Sequence, residues 1–420
     1  MYLIRKDNVL TIARALWTDY QVYGPVVEPL SGQTFFEPVD DISAINLNAP
    51  IPAAPPKYAV FPQIERIFSY RYAGGAAPVD IRPDYKEQPK ALFGLRSCDL
   101  SGLQCLDRFF LGQEFVDEVY RHHRKKMFIV TNTCIAPFTY CFCVCTDSGP
   151  AADEGYDLNL TDIGDYYLVE CGSEKGKALC QKLSLEAADE AHQAEKIARI
   201  DKSITLFEAI ATESKAWVSR VINRVTTGFA KEAVWEYVGD QCLECGACSF
   251  VCPSCSCFNI VDVCRADGSC DRLRTWDSCS YEGYSRMAGG HNPRKPVEDR
   301  RNKRFFCKLS YSQSKKYLRP GCVGCGRCNW VCPGDIGMAN VVKYIRREIA
   351  VSLPASPEND RFHLTVRRVG SVTYALHQLK PGDKVGIRGP FGNGFPLAEI
   401  KGKNIVYVAG GIGLIPLRSS

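Results

Sequence analysis

The chain has 420 residues, 45% of them apolar and 24% charged, a globular composition with room for about two or three domains. Its formal net charge of +5 is small for this length and no basic stripe carries interleaved aromatics, so no nucleic-acid partner is expected. No apolar run approaches the ~20 residues of a membrane span, and the N-terminus turns polar before any signal-peptide core could form, so the expectation is a cytoplasmic protein without a span.

In chain order, residues 1–182 read as an α/β domain. Apolar runs at 58–61, 91–95 and 127–130 have the length and the β-branched or aromatic content of buried strands, with a proline-rich loop over 49–57. His122 and His123 stand in a basic run, 121–126, expected to be a solvated face. Residues 183–238 carry a helical pattern. Trp217, Val221 and Val225 recur every four residues beside Val218, Ile222 and Phe229, which makes one wide apolar stripe.

Residues 239–345 hold the most informative feature. Cys242, Cys245, Cys248 and Cys252 form C-x2-C-x2-C-x3-C followed by Pro253, and Cys322, Cys325, Cys328 and Cys332 repeat the run before Pro333, each 80 positions later. This is the spacing of a two-cluster bacterial-type ferredoxin, in which three cysteines of a run hold one 4Fe–4S cube and the fourth reaches the other. On that rule Cys242, Cys245, Cys248 and Cys332 hold one cluster, and Cys322, Cys325, Cys328 and Cys252 the other. Zinc knuckles also use C-x2-C pairs, but they take two thiolates per knuckle rather than four in one tight run. Gly246, Gly324 and Gly326 would let backbone approach a cube, and Arg327 and Glu244 would bias the two potentials in opposite directions.

The insert of about 70 residues between the runs, far longer than in a simple ferredoxin, is expected to cover a cluster or form a docking surface. It contains Cys255, Cys257, Cys264, Cys270, Cys279 and Cys307 and a polar loop at 289–296 that includes His291. Cys255, Cys257 and Cys279 read as thiols packed beside the clusters. Cys171, Cys180, Cys264, Cys270 and Cys307 read as buried free thiols. Cys98, Cys134, Cys141 and Cys143, with Cys145 as a substitute, are either ligands of a third 4Fe–4S cluster or buried thiols. With 22 cysteines in a long chain without an export signal, a reducing compartment, that of an anaerobe, is expected.

From 349 onward the pattern changes to short strands at 362–369, 384–387 and 404–408. The last of these runs into Gly410, Gly411 and Gly413 with Pro416 beyond. A strand, a glycine turn and a proline at a helix start suit a dinucleotide pyrophosphate, although many glycine turns bind nothing.

Taken together, several stretches resemble one protein type. They are Gly94 to Leu100 (G-L-R-S-C-D-L), Cys134 with Cys141 and Cys143, Gly155 to Leu158, Cys252 to Phe258 (C-P-S-C-S-C-F), Thr275 to Cys279, and Ala288 to Asn292. They are similar to the iron–sulfur β subunit of cytoplasmic NAD(P)-linked nickel–iron hydrogenases, the sulfhydrogenases, and to the A subunit of anaerobic sulfite reductase. The resemblance covers about residues 1–345. The tail, 349–420, resembles a truncated piece of the partner flavoprotein of the ferredoxin–NADP reductase superfamily. There Ser352, Gly370 and Thr373 would lie at the flavin and Gly410, Gly411 and Gly413 at the nicotinamide nucleotide. About half of the flavin barrel and most of the nucleotide domain are missing from the match, so FAD and NAD(P)H are expected in the complex and not on this chain alone.

The resemblance implies an α+β multidomain protein: an N-terminal α/β domain, a helical collar, a two-cluster ferredoxin-like domain with a long insert, and a truncated β-barrel and nucleotide-binding fragment. It implies an electron relay between an NAD(P)H-linked flavin subunit and a terminal catalytic subunit of hydrogenase, sulfite reductase or heterodisulfide reductase type. No side chain is expected to act as a catalytic acid or base. The rival expectations are a self-contained NAD(P)H:acceptor iron–sulfur flavoprotein and a zinc-stabilised scaffold.

Overall fold

The computed structural model describes residues 1–71, 80–83, 88–211, 218–230, 232–347 and 378–380. Met1–Glu348 forms one compact unit and Ile349–Ser420 a second. Ser352, Gly370, Thr373, Gly410, Gly411, Gly413 and the tail strands lie outside the described residues, as does Trp217.

Among the described residues ten strands precede the first cysteine run: β1 (Tyr2–Arg5), β2 (Gln21–Val27), β3 (Thr34–Pro38), β4 (Ile64–Arg71), β5 (Asp80–Pro83), β6 (Lys90–Arg96), β7 (Met127–Asn132), β8 (Leu158–Asp162), β9 (Tyr166–Cys171) and β10 (Glu186–Ala187). Eight of them make a mixed sheet in the order β10-β1-β9-β8-β7-β6-β2-β3. Its centre, β2, β6, β7 and β8, is parallel. Strands β6 and β7 are covered on both faces, which is why they read as unbroken apolar runs in the sequence. One face is packed by α1 (Leu10–Trp17) and α4 (Glu174–Lys182), through Ile12, Leu16, Leu179 and Cys180. The other is packed by α2 (Ser97–Phe110) and α3 (Glu118–Lys125), through Leu103, Leu106 and Tyr120.

The expected strand at 58–61 is instead a 3-10 turn, Pro56–Ala59. Pro55 and Pro56 set its entry, and Val60 and Phe61 then bury themselves without pairing in a sheet. The expected solvated face at 121–126 is also corrected. His123 is hydrogen-bonded to Glu65, and Arg124 holds Asp107 at 3.1 Å.

The helical stretch comprises α5 (Glu190–Ala211), α6 (Ser219–Thr227) and α7 (Glu232–Asp240). Val218, Val221, Ile222 and Val225 face a core as their spacing predicts. Phe229 does not: Gly228 at φ +74° ends α6, and Phe229 is 76% exposed.

Short helices α8 (Ala247–Phe250) and α11 (Arg327–Trp330) sit inside the two cysteine runs and pack on each other. Between them the insert folds into β11 (Phe258–Cys264), β12 (Ser269–Trp276), α9 (Val297–Leu309) and α10 (Tyr311–Tyr317), and α12 (Met338–Arg347) follows. Strands β11 and β12 join β4 and β5 in a second sheet, so the insert is built into the N-terminal part of the fold. Cys264 and Cys270 lie opposite each other on this hairpin and form a disulfide, contrary to the expectation of free buried thiols.

Candidate metal centres

The two cysteine runs repeat at the level of the backbone. Gly246 and Gly326 adopt φ of +75° and +77° as the N-caps of α8 and α11. Two residues earlier, Glu244 and Gly324 are also left-handed, at +54° and +63°. This turn aims an amide at the sulfur two residues back: Glu244 N–H donates to Cys242 Sγ and Gly324 N–H to Cys322 Sγ, both at 3.4 Å. Met338 N–H adds a third such contact, to Cys328 Sγ at 3.3 Å. Amide donors stabilise sulfur that carries negative charge, so this donor set fits a thiolate-held cluster.

The surroundings of the two runs differ. Cys245 is exposed, Cys242 and Cys248 are half-buried, and Arg301 Nη1 reaches Cys248 Sγ at 3.7 Å. Burial raises the Cys242 thiol, with Arg301 acting against it. Cys332 packs on the same apolar cluster as Cys242. In the second run, burial likewise raises Cys322 well above the ordinary range and Cys325 to about 12. Cys252, from the first run, is among the charges felt by Cys322, Cys325 and Cys328.

Cys98, Cys134, Cys141 and Cys143 also come together. Arg96 and Asn132 are register partners at the carboxyl ends of parallel strands β6 and β7, and Cys98 and Cys134 stand two residues beyond each. The carboxyl edge of parallel strands is where α/β folds place ligands. Cys98, Cys141 and Cys143 are packed in one cluster with Cys325 of the second run. Burial raises all three thiols, followed by Asp99 for Cys98, Cys141 for Cys143 and Cys134 for Cys141. Arg96 Nη1 lies 3.7 Å from Cys134 Sγ, and Cys141 Sγ donates to the Cys325 carbonyl at 3.6 Å. Cys145 packs at the edge of the same cluster. Among the described residues, no group of three or more His, Cys, Asp or Glu side chains is arranged to hold a single metal ion.

Arg327 pairs with Asp99, and Glu244 with Arg300 at 2.8 Å. Burial is the larger effect on both thiols, and beside it Arg327 acts to lower that of Cys325 and Glu244 to raise that of Cys242. The glycines also serve a different neighbour. A Cβ on Gly324 would lie 2.6 Å from Cys143 N, and one on Gly326 2.8 Å from the Tyr140 carbonyl. They make room for the 140–143 backbone of the N-terminal cysteine set.

Sequence reasoning missed the cations. Arg300, Arg304 and Lys308 lie four residues apart on α9 and are all buried. A basic run of this kind reads as a solvated face, and the one available signal was the four-residue spacing itself. Lys57 is buried as well, and burial pulls its ammonium down to about 8, opposed chiefly by Cys255 and Cys252. His291 and Cys307 stay outside these sets: His291 is exposed, and its carbonyl accepts from Met287 N–H.

Comparison with known proteins agrees with this geometry. Residues 241–336 match the family described as 4Fe-4S dicluster domain. The chain is 30% identical over 326 residues to sulfhydrogenase 2 subunit beta of Pyrococcus furiosus, covering 78% of this chain and 92% of that protein. At its C-terminus it is 47% identical over 72 residues to sulfhydrogenase 2 subunit gamma of the same organism, and 46% identical over 77 residues to a probable dihydroorotate dehydrogenase B (NAD(+)) electron transfer subunit of Methanocella arvoryzae. It spans 25% and 28% of those two proteins. No solved structure matches the chain. With a dicluster domain at its centre and a full-length relative of this kind, the chain belongs to the sulfhydrogenase β-subunit family, whose members are subunits of oxidoreductase complexes.

Proposed function

We propose that this chain is the electron relay of a multi-subunit oxidoreductase. It would carry electrons between an NAD(P)H-linked flavin subunit and a terminal catalytic subunit of hydrogenase, sulfite reductase or similar type. The observation that carries the reading is the duplicated backbone turn: Glu244 and Gly324, 80 residues apart, each direct an amide onto the sulfur of the first cysteine of a run. When bound, 4Fe–4S clusters supply one-electron transfer.

The ligand sets are Cys242, Cys245, Cys248 and Cys332, then Cys322, Cys325, Cys328 and Cys252, and third Cys98, Cys134, Cys141 and Cys143. Support for the third comes from the shared packing of Cys98, Cys141 and Cys143 with Cys325, which keeps it next to the second. The exposed Cys245 gives the first set a path to a docked partner, while in the third set Cys98, Cys141 and Cys143 are buried and Cys134 is half-buried. The protein's own part is to bury the sulfurs, direct amides at them and exclude water. Terminal chemistry belongs to the partner, and hydride exchange with NAD(P)H to the flavin subunit. Among the described residues no helix is long and apolar enough to cross a membrane.

Anaerobic purification of the full chain, followed by iron, sulfide and zinc analysis and EPR after dithionite reduction, tests this. At least about twelve irons with matching sulfide, at four per cluster, are expected. Zinc without sulfide would leave a structural module and overturn the relay.

A further inference from the structure

Cys171 and Cys180 belong to none of the ligand sets, and they touch. Cys171 Sγ donates to Cys180 Sγ at 3.5 Å. Cys171 ends β9, and Cys180 lies within α4. The pair stands at the opposite edge of the main sheet from Cys98 and Cys134. Leu158 opens β8, which runs parallel to β7, and its antiparallel partner on β9 is Cys171. Cys180 is part of the apolar layer that holds Leu158, Leu160 and Val169, and Cys171 packs against that layer. Among the described residues, no cysteine of the ligand sets belongs to it.

The approach of the two sulfurs is set by the backbone between and beyond them. Gly172 N–H donates to the Asp157 carbonyl at 3.0 Å. Ser173 caps α4: its hydroxyl accepts from Gly176 N–H at 3.2 Å and donates to Asp157 Oδ1 at 2.5 Å. Asp157 is itself anchored, its Oδ2 accepting from Ile129 N–H at 2.8 Å. A Cβ on Gly176 would fall 2.0 Å from the Asp157 carbonyl oxygen, so the first turn of α4 sits as close to that backbone as glycine allows. At the other end, Leu185 N–H donates to the Cys180 carbonyl at 3.2 Å. The thiol contact follows from this seating of α4 on the end of β9 and the start of β8.

Two thiols held in contact need only a small movement to become a cystine. The sulfurs are 3.5 Å apart, against ~2.05 Å in a disulfide. Access distinguishes them: Cys171 is half-buried and Cys180 is buried. Burial also pushes the Cys180 thiol up to about 12, which keeps it protonated. The thiolate is the form that attacks an oxidant, so oxidation starts at Cys171 and Cys180 resolves it.

We propose that Cys171 and Cys180 are a reversible redox modification site, closed to a disulfide by hydrogen peroxide and reopened by a dithiol. In the first step the Cys171 sulfur takes one peroxide oxygen: an S–O bond forms, the O–O bond breaks and water leaves. In the second the Cys180 sulfur displaces that oxygen: the S–S bond forms, the S–O bond breaks and a second water leaves. The two thiols give up two electrons and two protons, and the peroxide takes both. The bond would tie α4 to β9. No cluster ligand takes part, so the inference does not rest on the relay.

The test uses the full chain, purified anaerobically, as wild type and as Cys180→Ser. Each is treated with hydrogen peroxide, its remaining free thiols are blocked, and tryptic cleavage at Lys175 and Lys177 parts the two cysteines. In the wild type, mass spectrometry should find peptide 178–182 linked to the peptide that carries Cys171, and dithiothreitol should return both thiols. Cys180→Ser lacks the resolving sulfur, so its Cys171 should persist as a sulfenic acid and take up dimedone. Cys180 recovered as a free thiol from treated wild type, or joined to a cysteine other than Cys171, overturns the inference. So does irreversible oxidation of Cys171 in place of the link. Should the variant not fold, the wild-type peptide map decides alone. Iron measured before peroxide treatment reads the relay separately: a chain with iron but without the link loses only this inference, and a chain with the link but without iron loses only the relay.

Discussion

Arg327 and Asp99 form a two-pronged ion pair in the interior, Nη1 to Oδ1 at 2.6 Å and Nη2 to Oδ2 at 2.8 Å, each residue 1% exposed. Asp99 follows Cys98 at the start of α2, and Arg327 precedes Cys328 at the start of α11. One pair therefore joins the N-terminal cysteine set to the second run across 228 residues of sequence. A third guanidinium contact, Nε to the Pro52 carbonyl at 2.6 Å, completes the cradle.

Asp99→Asn leaves the Arg327 charge buried without a partner. An uncompensated buried charge costs about 3–5 kcal/mol, and that loss is expected in anaerobic denaturant unfolding. Asp99→Leu combined with Arg327→Met should recover most of it, because both charges are then gone. A single-variant loss below about 1 kcal/mol would mean that the pair behaves like a solvated surface bridge.

Gly324→Ala combines two penalties. Alanine at φ +63° is strained, and its Cβ would press on Phe142 and Cys143 backbone at 2.6 Å. Strain of this kind costs about 1–3 kcal/mol. The displaced Cys143 is expected to cost the N-terminal cluster, seen as a loss of about four irons per chain. Full iron content in the variant would remove Cys143 from the ligand set.

Arg301→Met removes a cation 3.7 Å from Cys248 Sγ. Reduction adds negative charge to the cluster, so losing a nearby cation should lower its midpoint potential. For one electron, a tenfold change in equilibrium is about 59 mV. A downward shift of roughly that order is expected in an EPR-monitored titration. An upward shift or none would place Cys248 outside the first cluster.

Lys90, at the start of β6, gives a pH dependence of unusual sign. Burial lowers its ammonium from 10.5 to about 8, against a smaller opposing effect of Glu65. Between those values the unfolded chain holds more protons than the folded one, so stability should rise as pH increases from about 8 to 10.5. Lys90→Met should flatten this rise relative to wild type in unfolding measured across the window. An identical slope in both would assign the effect to another group.

Much of the scaffold was legible in the sequence because its signals are local. The two cysteine runs carry their spacing within eleven residues each, and the turns inside them use left-handed residues from the runs themselves, Glu244 and Gly246 in the first and Gly324 and Gly326 in the second. Strands β6 and β7 were legible because a parallel strand covered on both faces must be apolar throughout. Residues 58–61 misled for the converse reason: a short apolar run has no periodicity, and Pro55 and Pro56 turned it into a buried 3-10 corner.

Chemistry that depends on distant residues was decided by the tertiary structure alone. Spacing could list Cys98, Cys134, Cys141 and Cys143 but not place them; the parallel register of Arg96 with Asn132 sets Cys98 and Cys134 at one sheet edge, and packing against Cys325 brings Cys141 and Cys143 to Cys98. Nor could the sequence separate a buried basic stripe from a solvated one, since Arg300, Arg304 and Lys308 have the same composition in either setting. Local order follows from bonds and neighbours along the chain, and sequence determines it directly. Burial of charge depends on what other segments bring to the same place: here Glu244 for Arg300, the Cys248 carbonyl for Arg304 and the Ser254 carbonyl and hydroxyl for Lys308.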